Sequence, residues 1–138
     1  MSVVALAAWI VTLLAGLFLL AIWLIEYDPD YQRAAATRLP VPVISSHATL
    51  ATVGLVVWVG YLVTGDDELE WVTLAILACV VSLGITMAVR WVKVYRAKGA
   101  SLVPPERHFP LAVVITHGVL AFTTVTLVLL TTLGVGGA

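Results

Sequence analysis

Two histidines in this chain stand in matching surroundings. His47 follows Pro40 by seven positions and is followed by Leu50-Ala51; His117 follows Pro110 by seven positions and is followed by Leu120-Ala121. Between each proline and its histidine the residues are apolar or small. An imidazole inside an apolar helix is costly unless something satisfies its nitrogens. At a rise of 1.5 Å per residue, each ring would sit about 10 Å inside its helix. Two neutral imidazoles at equal depth are the donor set of a metal centre with trans nitrogen ligands, and haem iron is the obvious candidate. Two other readings use the same residues. The rings could bond neighbouring helices in a non-redox structural or accessory subunit. They could also bind zinc or copper in a small transporter, although two histidines alone leave such a coordination sphere open. That last reading is weakened because the expected spans contain no Asp or Glu, the usual furniture of proton and cation routes.

The elements that must hold these rings are apolar helices. Hydrophobic residues make up 62% of the chain and charged residues 11%, with a mean hydropathy of +1.09. A water-soluble domain of this length cannot hide that much apolar surface, so the solvent is a bilayer. The pattern predicts four spanning helices, over residues 3–25, 41–64, 71–92 and 109–135, each long enough to cross a hydrocarbon core. Pro40 and Pro42 fall at the first turn of the second, where a missing N–H costs nothing. The first run lacks a basic stretch before it and a cleavage motif after it, and is expected to be a retained helix. The expected architecture is all-α, an integral membrane four-helix bundle running up-down-up-down as one transmembrane domain.

Charge orients the bundle. The seven basic residues, Arg33, Arg38, Arg90, Lys93, Arg96, Lys98 and Arg107, fall in or beside the first and third loops, and the Gly65-Asp66-Asp67-Glu68 turn carries acids only. The basic loops are therefore expected in the cytoplasm of a bacterial inner membrane, with both termini outside. Single Cys79 excludes a disulfide framework and is read as a buried small apolar residue. No basic patch points to nucleic acid.

The histidine match belongs to a longer one. Leu6-Ala7, Gly16, Trp23 and Tyr27 recur sixty-eight positions later as Leu74-Ala75, Gly84, Trp91 and Tyr95. Pro40, Val43 and His47 recur at an offset of seventy as Pro110, Val113 and His117. The chain reads as two tandem two-helix repeats, about 1–65 and 66–138, in parallel orientation about an axis along the membrane normal. The second and fourth helices would then be diagonal, with their imidazoles facing across the centre. Gly16 and Gly84 would leave room for a flat macrocycle. Ala51 and Gly54 after His47, and Ala121 and Thr124 after His117, share the histidines' faces. Trp23 and Trp91 come next toward the cytoplasm, and Arg90 or Arg107 could pair with propionates. The blander alternatives are close helix contact for the glycines and interfacial anchoring for the tryptophans. Ser46 and Thr116 could bond backbone or water, and His108 is expected on the surface.

On His47 and His117 the layout resembles small membrane b-type cytochromes, in which histidines from a four-helix bundle bracket one haem. The resemblance implies haem b and a quinone or redox protein as partner at the cytoplasmic face. It implies an electron carrier, or a haem-bearing subunit of a respiratory or quinone-linked assembly, rather than an independent enzyme. One haem near one face does not span a core of about 30 Å, and no histidine lies in the outer half to hold a second. A homo-oligomer or a larger complex would fit that role.

Overall fold

The computed structural model describes residues 1–27, 39–97 and 103–135. Four helices account for nearly all of them: α1 (Ser2–Ile25), α2 (Val41–Thr64), α3 (Asp67–Arg96) and α4 (Leu111–Thr132), with a single 3-10 turn at Pro105–His108 before α4. All four are long and apolar enough to cross a membrane. Arg33, Arg38 and Lys98 lie outside the described residues.

Local chemistry sets the boundaries. Pro40 caps α2 in an extended conformation, and its carbonyl accepts from the N–H groups of Val43 and Ile44; Pro110 does the same for α4 through Val113 and Val114. At the other end of α2, Gly65 adopts φ 70°, and its N–H closes on the Tyr61 carbonyl, a left-handed stop that glycine takes without strain. The helix α3 begins four residues before the expected start. Asp66 Oδ1 accepts from the Glu68 N–H at 3.0 Å, and Asp67, Glu68 and Glu70 fill the first turn. Acids there satisfy free N–H groups and complement the helix dipole, so residues that read as a loop are the first turn of the helix. Lys93 and Arg96 complement the dipole at the far end. At 30 residues, α3 is about 45 Å long. It overshoots a hydrocarbon core of about 30 Å, and its charged turns lie outside the apolar stretch.

Consecutive helices run antiparallel. Trp58, near the end of α2, donates its indole N–H to the carbonyl of Ser2 at the start of α1. His47, early in α2, reaches Val80 in the middle of α3. α1 packs on α2 and α4, and α3 packs on the same two; the backbones of the diagonal pairs do not approach closely. The most intimate contacts are α2 with α3 and α1 with α4. The arrangement brings the C-terminal ends of α1 and α3 together with the 3-10 turn at one, basic, end; the Gly65–Glu68 turn marks the other, acidic, end.

Burial falls into two bands. Toward the acidic end lie Ala5, Trp9, Thr12, Gly54, Trp58, Glu70, Thr73, Leu77, Val80, Thr124 and Val128; at the basic end lie Trp23, Leu39, Trp91, Val94, Pro105 and Glu106. Lipid tails are as apolar as leucine, so burial between these helices is stabilised by close packing and hydrogen bonds rather than by escape from water. For the same reason an apolar run does not reveal its inward face. Cys79, expected to be buried, is exposed on the outside of α3.

Gly54 tests the acidic-end packing. A Cβ there would lie 3.0 Å from two atoms of the Trp9 ring and 3.1 Å from Ile76, whereas at Gly118 it would meet nothing within 4 Å. Gly54→Ala should therefore destabilise the bundle by about 1–3 kcal/mol through overpacking. Gly118→Ala should be neutral or stabilise by up to about 1 kcal/mol through helix propensity. Reversible unfolding of the two variants in detergent distinguishes these outcomes.

Candidate metal centre

Between the two buried bands lies a level where burial is interrupted. Over residues 13–22 of α1, 40–53 leading through α2, 81–90 of α3 and 109–123 leading through α4, no residue is buried. Ten residues of helix correspond to about 15 Å along the bundle. His47 and His117 project into this level from the diagonal helices α2 and α4, and each ring is partly buried.

Each imidazole is fixed by the helix beside it. His47 Nδ1 lies 3.0 Å from the Val80 carbonyl oxygen on α3, and His117 Nδ1 lies 3.0 Å from the Thr12 carbonyl oxygen on α1. A carbonyl only accepts, so Nδ1 carries the hydrogen in both rings and Nε2 keeps its lone pair. This is the tautomer of a ligating histidine, whose other ring nitrogen usually donates to a backbone carbonyl.

The glycines explain why these carbonyls are reachable. Gly16 and Gly84 stand four residues after Thr12 and Val80, so in an α-helix their N–H groups use one lone pair of those carbonyls. The imidazole takes the second lone pair by lying across the glycine. A Cβ on Gly16 would come to 3.0 Å from His117 Cε1, and one on Gly84 to 3.2 Å from His47 Cε1. The space each glycine leaves is thus occupied by a histidine ring, where sequence reasoning assigned it to a macrocycle. The carbonyl partners themselves were missed. The signal was present as a histidine on one helix and a glycine at matching depth on its neighbour.

The two rings face one another with centroids 6.4 Å apart and planes inclined at 66°. Two metal–nitrogen bonds of about 2.0 Å, with about 1.1 Å from each nitrogen to its ring centre, span ~6.2 Å. The spacing fits one ion shared by both imidazoles. Among the described residues no group of three or more His, Cys, Asp or Glu comes together. A bare zinc or copper ion would have two protein ligands here, short of a closed site. A haem brings four equatorial nitrogens of its own and asks the protein only for axial ligands. The two-nitrogen donor set and the ring spacing are compatible with that group.

The other expected contact residues divide by position. Ala51 and Ala121, one turn beyond the histidines, are half-buried at this level. Gly54 and Thr124 belong to the acidic-end band: Gly54 receives Trp9, and the Thr124 hydroxyl lies 3.1 Å from that of Thr12 and donates to the Leu120 carbonyl. They support the floor beneath the rings. Ser46 and Thr116 are exposed on the outer faces of their helices.

At the basic end, Trp91 donates to the Glu106 carbonyl at 3.1 Å and stacks on Tyr95 with ring centroids 5.0 Å apart. Trp23 stacks on Tyr27 at 4.7 Å. Arg107 donates to the carbonyls of Val94 and Tyr95, and its guanidinium lies 5.5 Å from the Tyr95 ring centre; it ties the 3-10 turn to the end of α3. Arg90 is exposed on α3. His108 is exposed as expected, with Nδ1 3.6 Å from Glu26 Oε2, a surface pair of small energetic weight. Glu106 is fully buried, which its place in a polar stretch did not suggest. Glu70, just ahead of the expected third span, is also buried and accepts a hydrogen bond from Tyr61.

No family model, curated protein or solved structure matches the chain.

The tautomer is directly observable. Nitrogen-15 spectra of histidine-labelled protein without added haem should show His47 and His117 protonated at Nδ1 with a bare Nε2. A bare Nδ1 in either ring would show that its carbonyl bond is not made.

Proposed function

We propose that the chain is an integral membrane protein that binds one haem b through Nε2 of His47 and His117. Its role is that of an electron carrier or haem-bearing subunit of a respiratory or quinone-linked assembly. The observation that carries this reading is the pair of rings 6.4 Å apart, each held by a carbonyl on its Nδ1, at the level where burial is interrupted in all four helices.

A six-coordinate haem supplies a one-electron couple and no vacant position for oxygen. The chain's own residues do the rest. The Val80 and Thr12 carbonyls hold the imidazole planes and raise the basicity of Nε2. Gly16 and Gly84 let the rings lie against α1 and α3. The two buried bands close the level toward either end, with Trp9, Trp58 and Val128 at one and Trp23 and Trp91 at the other.

The corresponding contacts in the two halves favour a tandem duplication. Thr12 and Val80, like Gly16 and Gly84, are sixty-eight positions apart, and the histidines they hold are seventy apart. In this reading the basic ends face the cytoplasm by the positive-inside rule, and electrons are exchanged there with a quinol or a redox protein. The same carbonyl bonds favour one rival, a non-redox subunit in which the histidines only join helices.

An absorption spectrum separates the two. Protein purified in detergent from haem-sufficient cells should carry the bands of a low-spin haem b that sharpen on reduction. His47→Ala and His117→Ala should each lose that spectrum. A colourless wild-type protein that takes up no haem, or two variants that keep the full low-spin spectrum, would overturn the assignment.

A further inference from the structure

The two tryptophans at the basic end occupy corresponding positions but differ in one respect. Trp23 follows Gly16, and Trp91 follows Gly84, by seven residues. Seven residues are close to two turns, so each indole stands on the same helix face as its glycine, about 10 Å nearer the basic end. Both residues are buried, Trp23 at 4% exposure and Trp91 at 7%. The Trp91 N–H is satisfied by the Glu106 carbonyl. The Trp23 N–H is buried and has no hydrogen-bond partner among the described residues.

A buried indole donor without an acceptor is costly, because its hydration is lost with nothing in return. The cost vanishes if a ligand brings the acceptor. A tetrapyrrole seated between His47 and His117 carries carboxylates at its edge, and the basic end is where their charge is tolerated. We infer that Trp23 Nε1 donates a hydrogen bond to one haem propionate, while Trp91, already engaged by the 3-10 turn, does not. This inference rests on the haem reading above. It gives the site a polarity, propionates toward the basic end, and makes its two halves unequal: the half containing Trp23 holds the ligand's carboxylate, and the half containing Trp91 holds the protein's own turn.

The test compares wild type, Trp23→Phe and Trp91→Phe as full-length protein in detergent. Each is loaded with haem b or with its dimethyl ester, whose side chains are uncharged and weaker acceptors. The measurement is the rate of haem loss to an excess of haem-scavenging apoprotein. With haem b, Trp23→Phe should lose the group about tenfold faster than wild type while keeping its low-spin spectrum, the effect of one charge-assisted hydrogen bond. With the diester, wild type and Trp23→Phe should lose it at similar rates. Trp91→Phe should respond to esterification as wild type does.

Without haem, both variants lose the packing of a buried indole, but only Trp91→Phe also loses a hydrogen bond, so Trp91→Phe should unfold more readily than Trp23→Phe. Equal haem b loss from wild type and Trp23→Phe would overturn the inference and leave the haem assignment standing. So would an esterification effect of the same size in both. A wild-type protein that binds neither form would overturn both together.

Discussion

The hydrogen bond from each histidine to a backbone carbonyl of the adjacent helix organises the middle of this bundle. Neither bond is a large term in stability. Side-chain hydrogen bonds between membrane helices contribute about 0.6 kcal/mol on average and up to about 2 kcal/mol. Their importance is geometric. A histidine on a helix has two free torsions and two chemically different nitrogens. Once Nδ1 is committed to Val80 or Thr12, the ring plane, the tautomer and the remaining lone pair are fixed together. Glycine at 16 and 84 leaves the room for it, since a Cβ there would stand 3.0 or 3.2 Å from the ring's Cε1 and push the ring by a few tenths of an ångström. A histidine, a glycine and a carbonyl four residues before it form one device, present twice.

The rest of the structure positions those two devices. Bulky aromatic packing at the acidic end, with Trp58 bonded to Ser2 and Trp9 seated on Gly54, sets the helix spacing on one side. At the basic end, Arg107 and Trp91 clamp the 3-10 turn onto α3. Burial is interrupted at the level between, and the rings meet there. The halves are not identical. The Thr12 and Thr124 hydroxyls lie 3.1 Å from each other, where the corresponding positions on α3 and α2 are Val80 and Gly54. Such differences would give the two faces of the proposed haem different surroundings.

Much of the fold was legible in the sequence because long apolar runs and their boundary residues mark it. Apolar length, prolines at helix starts and the Gly65 stop mark α2 to within a residue of its observed ends. The start of α3 was less legible, because acids that complement a helix N-terminus resemble a polar loop in a hydropathy pattern. Burial was legible only in part: with apolar residues on every face, periodicity does not separate Cys79, which faces out, from Leu77, which faces in. Glu70 and Glu106 were missed because a carboxylate in a polar stretch gives no sign that tertiary contacts will enclose it. At the candidate site the histidines were legible from the matching surroundings. Their carbonyl partners were not, since a backbone acceptor has no letter of its own; only the glycine beside it marks the place.

The central claim is that both imidazoles belong to one iron. Pulsed electron paramagnetic resonance of the oxidised protein, prepared with nitrogen-15 histidine, tests it most directly. The oxidised protein should give a low-spin ferric signal coupled to two labelled imidazole nitrogens, with the marked anisotropy of inclined ligand planes. A high-spin signal, coupling to a single imidazole, or a preparation with no iron signal would contradict that claim.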